Sequence, residues 1–128
     1  MAACTMSPRQ VVLPADTTAP RAAREFLAEA CCGSHVSAVV EEAQLLVSEL
    51  VTNAVRYGAP PIELQVRCAG DNCLRVRVRD SEPGTPEPRT PDPDAESGRG
   101  LLLVDLVSDA WGSEYDEDGK AIWFTLKG

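Results

Sequence analysis

Glu49 and Asn53 stand four residues apart in the run EAQLLVSELVTNAVRYG, so on a helix one lies a turn above the other. They border an arc of Val39, Ala43, Leu46, Leu50 and Ala54, where a polar pair interrupts an apolar stripe. Burying either group unpaired is costly, so such a pair lines a cavity more readily than it faces open water. The Asn carboxamide is neutral and offers a hard oxygen, suited to a Mg²⁺ ion that already carries phosphate oxygens and water. A Glu one turn earlier can take the proton of an attacking hydroxyl or water. The plain alternative is an exposed helix flank with a salt bridge, and for these two residues alone it prevails.

Two later features extend the set. Asp80 closes an alternating apolar run and opens a Pro-rich stretch. A carboxylate there can accept an exocyclic amine such as that of adenine, or simply form a turn. Gly98-Arg99-Gly100 comes immediately before the apolar run from Leu101. Glycines let backbone amides approach phosphate closely, and the amino end of a helix favours anions. A hinge, with Ser97 serving only as an N-cap, is the competing reading.

The elements that must position these residues follow from periodicity and breakers. Residues 1–8 form a loose tail, and Gln10 to Leu13 a short strand. Asp16-Thr17-Thr18 before Pro20 starts a helix over about 19–31, which Gly33-Ser34 breaks. A long helix runs from about Val36 to Tyr57 and stops at Gly58, with Pro60-Pro61 preventing continuation. Ile62, Leu64, Val66 and Cys68, then Leu74, Val76 and Val78, alternate as a hairpin around Gly70-Asp71-Asn72. Its outer face carries Glu63, Gln65, Arg67, Arg75, Arg77 and Arg79.

Between Ser81 and Ser97 lie five of the ten prolines, with acidic residues and almost nothing apolar. That predicts a long exposed loop, of the kind that is functional or disordered. An apolar helix over 98–109 and two strands, near 110–115 and 121–126, complete the chain. Trp111 and the Ile122-Trp123-Phe124 run are assigned to packing against the helices. The sum predicts a two-layer α+β sandwich, its sheet mixed but mostly antiparallel and its helices on one face.

Bulk properties narrow the function. A chain of 128 residues makes one domain with a real core, and its 44% hydrophobic and 25% charged residues are ordinary for a globular protein. A net charge of -8 argues against a general nucleic-acid surface, which would need excess Lys and Arg to neutralise phosphates. It fits partners that bring positive charge, or a nucleotide held by backbone amides and a metal. No apolar run reaches membrane-spanning length and no signal-peptide core is present, so a cytoplasmic protein is expected. The five cysteines and the one histidine, His35, lack zinc-site spacing and are read as reduced thiols, some of them apolar filler.

SELVTNAVRYG, VRVRDSEPG, SGRGLLLVDLVSDAWG and GKAIWF, taken in order, resemble the GHKL (histidine-kinase-like) ATPase family. The resemblance runs from about Val11 to Leu126 and is to the small bacterial anti-sigma-factor serine/threonine kinases and their stand-alone ATP-binding relatives of actinomycete type. It implies a Bergerat-type ATP-binding fold over residues 9–128, with residues 81–98 as the ATP-lid loop and ATP and Mg²⁺ as cofactors. By the same resemblance Glu49 is the catalytic base, Asn53 the Mg²⁺ ligand and Asp80 the adenine contact. Gly84, Gly98, Arg99, Gly100 and Leu101 belong to the nucleotide site, while Arg56 and Tyr57 line the pocket.

The partners it implies are a sigma factor and an anti-anti-sigma (STAS-type) protein, with no direct nucleic acid or membrane, and it admits a homodimer. The chain departs from the family pattern at three positions. Glu82 stands where the adenine-side motif Asp-x-Gly-x-Gly has its first glycine, Glu96 where a basic residue can precede the lid Ser-Gly, and Lys120 where a threonine often starts the last strand. Nucleotide binding is expected to tolerate these better than phosphoryl transfer. Three other readings compete: a non-catalytic nucleotide-dependent binding module, the catalytic part of a histidine kinase, and an α+β domain without nucleotide.

Overall fold

The computed structural model describes residues 8–30, 37–68, 73–82 and 96–127. Five strands and three helices follow in the order β1 (Arg9–Leu13), α1 (Ala19–Ala30), α2 (Ser37–Tyr57), β2 (Ile62–Cys68), β3 (Cys73–Asp80), α3 (Glu96–Val107), β4 (Ala110–Asp116) and β5 (Gly119–Lys127). The sheet is ordered β1-β2-β3-β5-β4. Every pairing in it is antiparallel, so the expected mixed component is absent among the described residues.

Local chemistry explains the helix boundaries. The Asp16 carboxylate accepts the Thr18 amide at 2.8 Å as well as the Thr18 hydroxyl, and Ala19 N–H bonds the Asp16 carbonyl at 3.1 Å. Those bonds hold the Asp16 carboxyl below its ordinary pKa, since they favour the charged form. Helix α1 buries Ala19, Ala23, Leu27 and Ala30, and it is tied to α2 by Arg24 Nη1 donating to Ser48 Oγ at 3.0 Å and Gln44 Nε2 to the Arg24 carbonyl at 3.1 Å. At the far end of α2, Gly58 N–H still bonds the Ala54 carbonyl at 2.9 Å before the proline pair ends the helix.

The core lies between the helices and one face of the sheet. Helix α2 occupies its centre, packing against α1, α3, β2, β3 and β5. All five residues of its predicted arc are buried, and Val47 and Val51 join them because the helix is enclosed on more than one side. Leu64, Val66, Val76, Phe124 and Leu126 meet it from the sheet. Trp111 and Ile122 pack at the edge of this core.

Trp123 does not. Strand alternation turns it to the opposite face, where it pairs across from Arg77 and lies 4.7 Å beneath the Arg75 guanidinium. Helix α3 also departs from expectation. Among its described side chains Val104 alone is fully buried, with Leu103 and Val107 partly so, while Leu102 and Leu106 are exposed. Trp111 Nε1 donates to Asp105 at 2.9 Å and ties α3 to β4.

Candidate nucleotide site

Asp80 is the one charged residue buried among the described residues, at 4% exposure. It ends β3 on the helix-facing side of the sheet, in register with Lys120 of β5. Its carboxylate accepts the Glu82 amide at 2.8 Å, and Lys120 Nζ stands 4.0 Å from Oδ2. Loss of water raises the carboxyl above its ordinary pKa, against the opposing pull of the Glu82 amide, the Lys120 ammonium and the Ala59 amide.

Two close approaches shape this cradle. A Cβ at Gly58 would fall 2.6 Å from Asp80 Cγ and 2.7 Å from Oδ2, so the residue after α2 must be glycine for the helix end to touch the carboxylate. A Cβ at Gly119 would run into the Asp80 carbonyl oxygen. Ser81 N–H also bonds the Ala59 carbonyl at 2.8 Å, clamping the end of β3 to the segment that follows α2.

The other predicted residues of this region ride on α2. Glu49 and Asn53 are half-buried on the margin of its apolar stripe, and Arg56 and Tyr57 are exposed near its end. Asn53 precedes Gly58 by five positions, which on an α-helix is about 7.5 Å along the axis; Glu49 lies about 13.5 Å back. The helix that carries the carboxylate and carboxamide therefore ends against the buried acid. Thr52 does not compete for this site, since its hydroxyl bonds the Ser48 carbonyl at 2.7 Å.

Helix α3 begins at Glu96, two residues before the expected start. Gly98, Arg99 and Gly100 thus lie within its first turns, not ahead of them, and Ser97 is inside the helix and not its cap. The first four amides of a helix have no partner within it, and the Gly98 amide belongs to that set. Gly100, four residues after Glu96, is placed to bond back into the helix. Leu101 follows in the same helix. Gly84 lies outside the described residues, as do Cys4, Cys31, Cys32 and His35.

Residues 13–126 match the family model described as histidine kinase-like ATPase domain. The chain belongs to that family. Among solved structures, the RsbU and RsbW domains of Rv1364c from Mycobacterium tuberculosis are similar, with a TM-score of 0.71 at 22% identity over 94% of this chain and 32% of that one. The histidine kinase domain of the Erythrobacter litoralis EL346 blue-light activated histidine kinase aligns with a TM-score of 0.56 at 19% identity, over 84% of this chain and 56% of that one. A longer structure of the EL346 kinase gives 0.58 at 18% identity, with 84% and 38% covered. The chain spans between about a third and a little over half of these structures' lengths. None of the curated proteins matches it in sequence.

The fold of the histidine kinase-like ATPase family accounts for the arrangement of α2 against the end of β3. Sequence reasoning named Asp80 and the α2 residues as candidates and read Gly58 only as a helix stop, without its close approach to the Asp80 carboxylate. It marked Lys120 as a departure without placing it beside Asp80; the strand register supplies that. Among the described residues no helix is long and apolar enough to cross a membrane.

Proposed function

We propose that the domain binds ATP with Mg²⁺ and serves as a regulatory serine/threonine protein kinase, an anti-sigma factor in a partner-switching pathway. The observation that carries this reading is the buried Asp80 carboxylate, held at the end of β3 under the glycine that ends α2. A carboxylate confined this way, with acceptor capacity remaining, suits the exocyclic amine of adenine. The donor set fits the metal as well: a single half-buried carboxamide, Asn53, matches an ion that keeps water and phosphate oxygens as its other ligands. When bound, Mg²⁺ would neutralise charge on the phosphates.

In this reading Asn53 holds the metal by its carboxamide oxygen, and Asp80 fixes the base. Free amides in the first turn of α3 would face the phosphates, and Glu49 would accept the proton of the attacking hydroxyl. The similarity to a structure containing an RsbW domain supports the anti-sigma half, with a sigma factor and an anti-anti-sigma protein as partners.

The second reading is a non-catalytic module whose partner senses bound nucleotide. Lys120, which draws on the Asp80 carboxylate from 4.0 Å, favours it by competing with the base. Calorimetric titration with Mg-ATP tests the pocket: binding is expected in the native protein, lost in Asn53→Ala and Asp80→Asn, and kept in the surface control Glu25→Gln. Phosphate transfer from labelled ATP to a cognate anti-anti-sigma protein, abolished by Glu49→Ala, separates the two readings. Tight ATP binding without transfer would leave only the second.

A further inference from the structure

The helices cover one face of the sheet, and the other face carries Arg67, Arg75, Arg77 and Arg79, with Glu63 across from Arg79. The register sets Arg67 directly across from Arg75, and Gln65 across from Arg77. Like charges directly opposed on a sheet repel, so this row works against the pairing of β2 with β3 unless something offsets it. Arg67, Arg75 and Arg77, with Gln10, Gln65 and Glu114, line a concavity of about 340 Å³. It lies on the opposite side of the sheet from the Asp80 site.

The row is only partly neutralised. The Arg75 guanidinium stands over Trp123, whose indole fits because Gly112 across from it has no side chain; a Cβ there would meet the ring at 2.8 Å. Arg77 Nη2 reaches Glu114 at 3.1 Å and Nη1 reaches Gln65 at 3.4 Å. The Arg77 Nε is buried and has no partner among the described residues. Arg67 is exposed. Among the described residues that line the concavity, Glu114 is the one carboxylate beside Arg67, Arg75 and Arg77, while Glu63 on the same face stands across from Arg79.

We infer that this concavity docks an acidic segment of a partner protein, whose carboxylates lie across β2 and β3 on Arg67, Arg75 and Arg77. Guanidinium forks match carboxylates geometrically, and two of the three are already oriented, by the indole and by Glu114. A second copy of this chain is disfavoured because face-to-face stacking would bring arginine onto arginine. The acidic remainder of the chain repels any polyanion alike, so the oligonucleotide arm of the test separates nucleic acid from an acidic segment. The inference does not depend on the nucleotide reading.

Fluorescence anisotropy with a fluorescein-labelled deca-glutamate peptide, at about 0.15 M salt, tests it. The native protein should bind the probe. Arg67→Glu and Arg75→Glu should each weaken binding by roughly tenfold or more, and Glu114→Gln should strengthen it by removing the internal competitor for Arg77. Arg67→Glu, at an exposed position, keeps the test valid should Arg75→Glu fail to fold, which circular dichroism reveals.

Absence of binding by the native protein, or equal binding by Arg67→Glu, overturns the inference. So does tighter binding of a ten-nucleotide oligothymidylate, which would make the site one for nucleic acid. Arg67-dependent self-association in sedimentation would make it an interface between copies and overturn it too.

Discussion

Asp80 holds its proton more tightly in the folded chain than its ordinary value of 3.8 would allow, chiefly because burial strips water from the charged form. The folded state therefore binds more protons than the unfolded one between those two pKa values. The stabilisation that protonated Asp80 gives is complete below the unfolded value and is lost as pH rises through the folded one. Asp80→Asn should accordingly gain in melting temperature relative to the native protein as pH is raised from acid to neutral, in thermal melts followed by circular dichroism; a gap that widens toward acid would refute this. Lys120 offsets part of the burial. Lys120→Met should cost about 1 kcal/mol at neutral pH and less in acid, and close to nothing in an Asp80→Asn background, as a urea-denaturation double-mutant cycle would read. The sequence made Asp80 legible, because a carboxylate closing an alternating run stands out. It could not reveal the Lys120 partnership, which needs the register of β3 on β5, nor the role of Gly58, which depends on how closely a helix end approaches a strand end.

Helix α2 supplies the frame on which the candidate site is mounted. Leu46 is fully buried in it, so Leu46→Ala should cost about 2–5 kcal/mol in urea denaturation. Gly58→Ala should cost about 1–3 kcal/mol by overpacking, and should weaken Mg-ATP binding in the same sample, because the added methyl pushes on the Asp80 carboxylate. Helix α3 offers a contrast within one element. Val104→Ala should be destabilising by about 1–3 kcal/mol, whereas Leu106→Gln, 72% exposed in the native chain, should stay within about 0.5 kcal/mol. Equal losses at the two positions would mean that α3 is rotated about its axis. Element types were plain in the sequence, since the strands alternate and the long helix keeps its apolar arc. What failed was finer. Apolar composition alone said nothing of which α3 face is covered, and glycine's poor helix propensity delayed the expected start of α3 to Gly98. Treating Ile122, Trp123 and Phe124 as one cluster ignored that neighbours on a strand point to opposite faces.

At the scale of the whole molecule, binding should report itself as stability. Mg-ATP at a hundredfold excess over its dissociation constant should add about 2.7 kcal/mol to the folded state, visible as a higher melting temperature that Asp80→Asn does not share. The sandwich as a unit was legible because element order and patterning leave few ways to cover one sheet face with three helices. On the two proposals made above, the helix-covered side of the sheet would serve a small molecule and the arginine side a macromolecule. The edge position of β1 bears on biosynthesis. Gln10 and its cross-strand neighbour Gln65, joined side chain to side chain at 2.8 Å, are 55 positions apart. A nascent chain exposes the first ribbon, Val12 included, well before its mate emerges, while α1 and α2 can already embrace each other through nearby contacts. Until β2 emerges, β1 has only water as partner for its backbone groups, and such an unpaired rim is the kind of surface to which another strand can add.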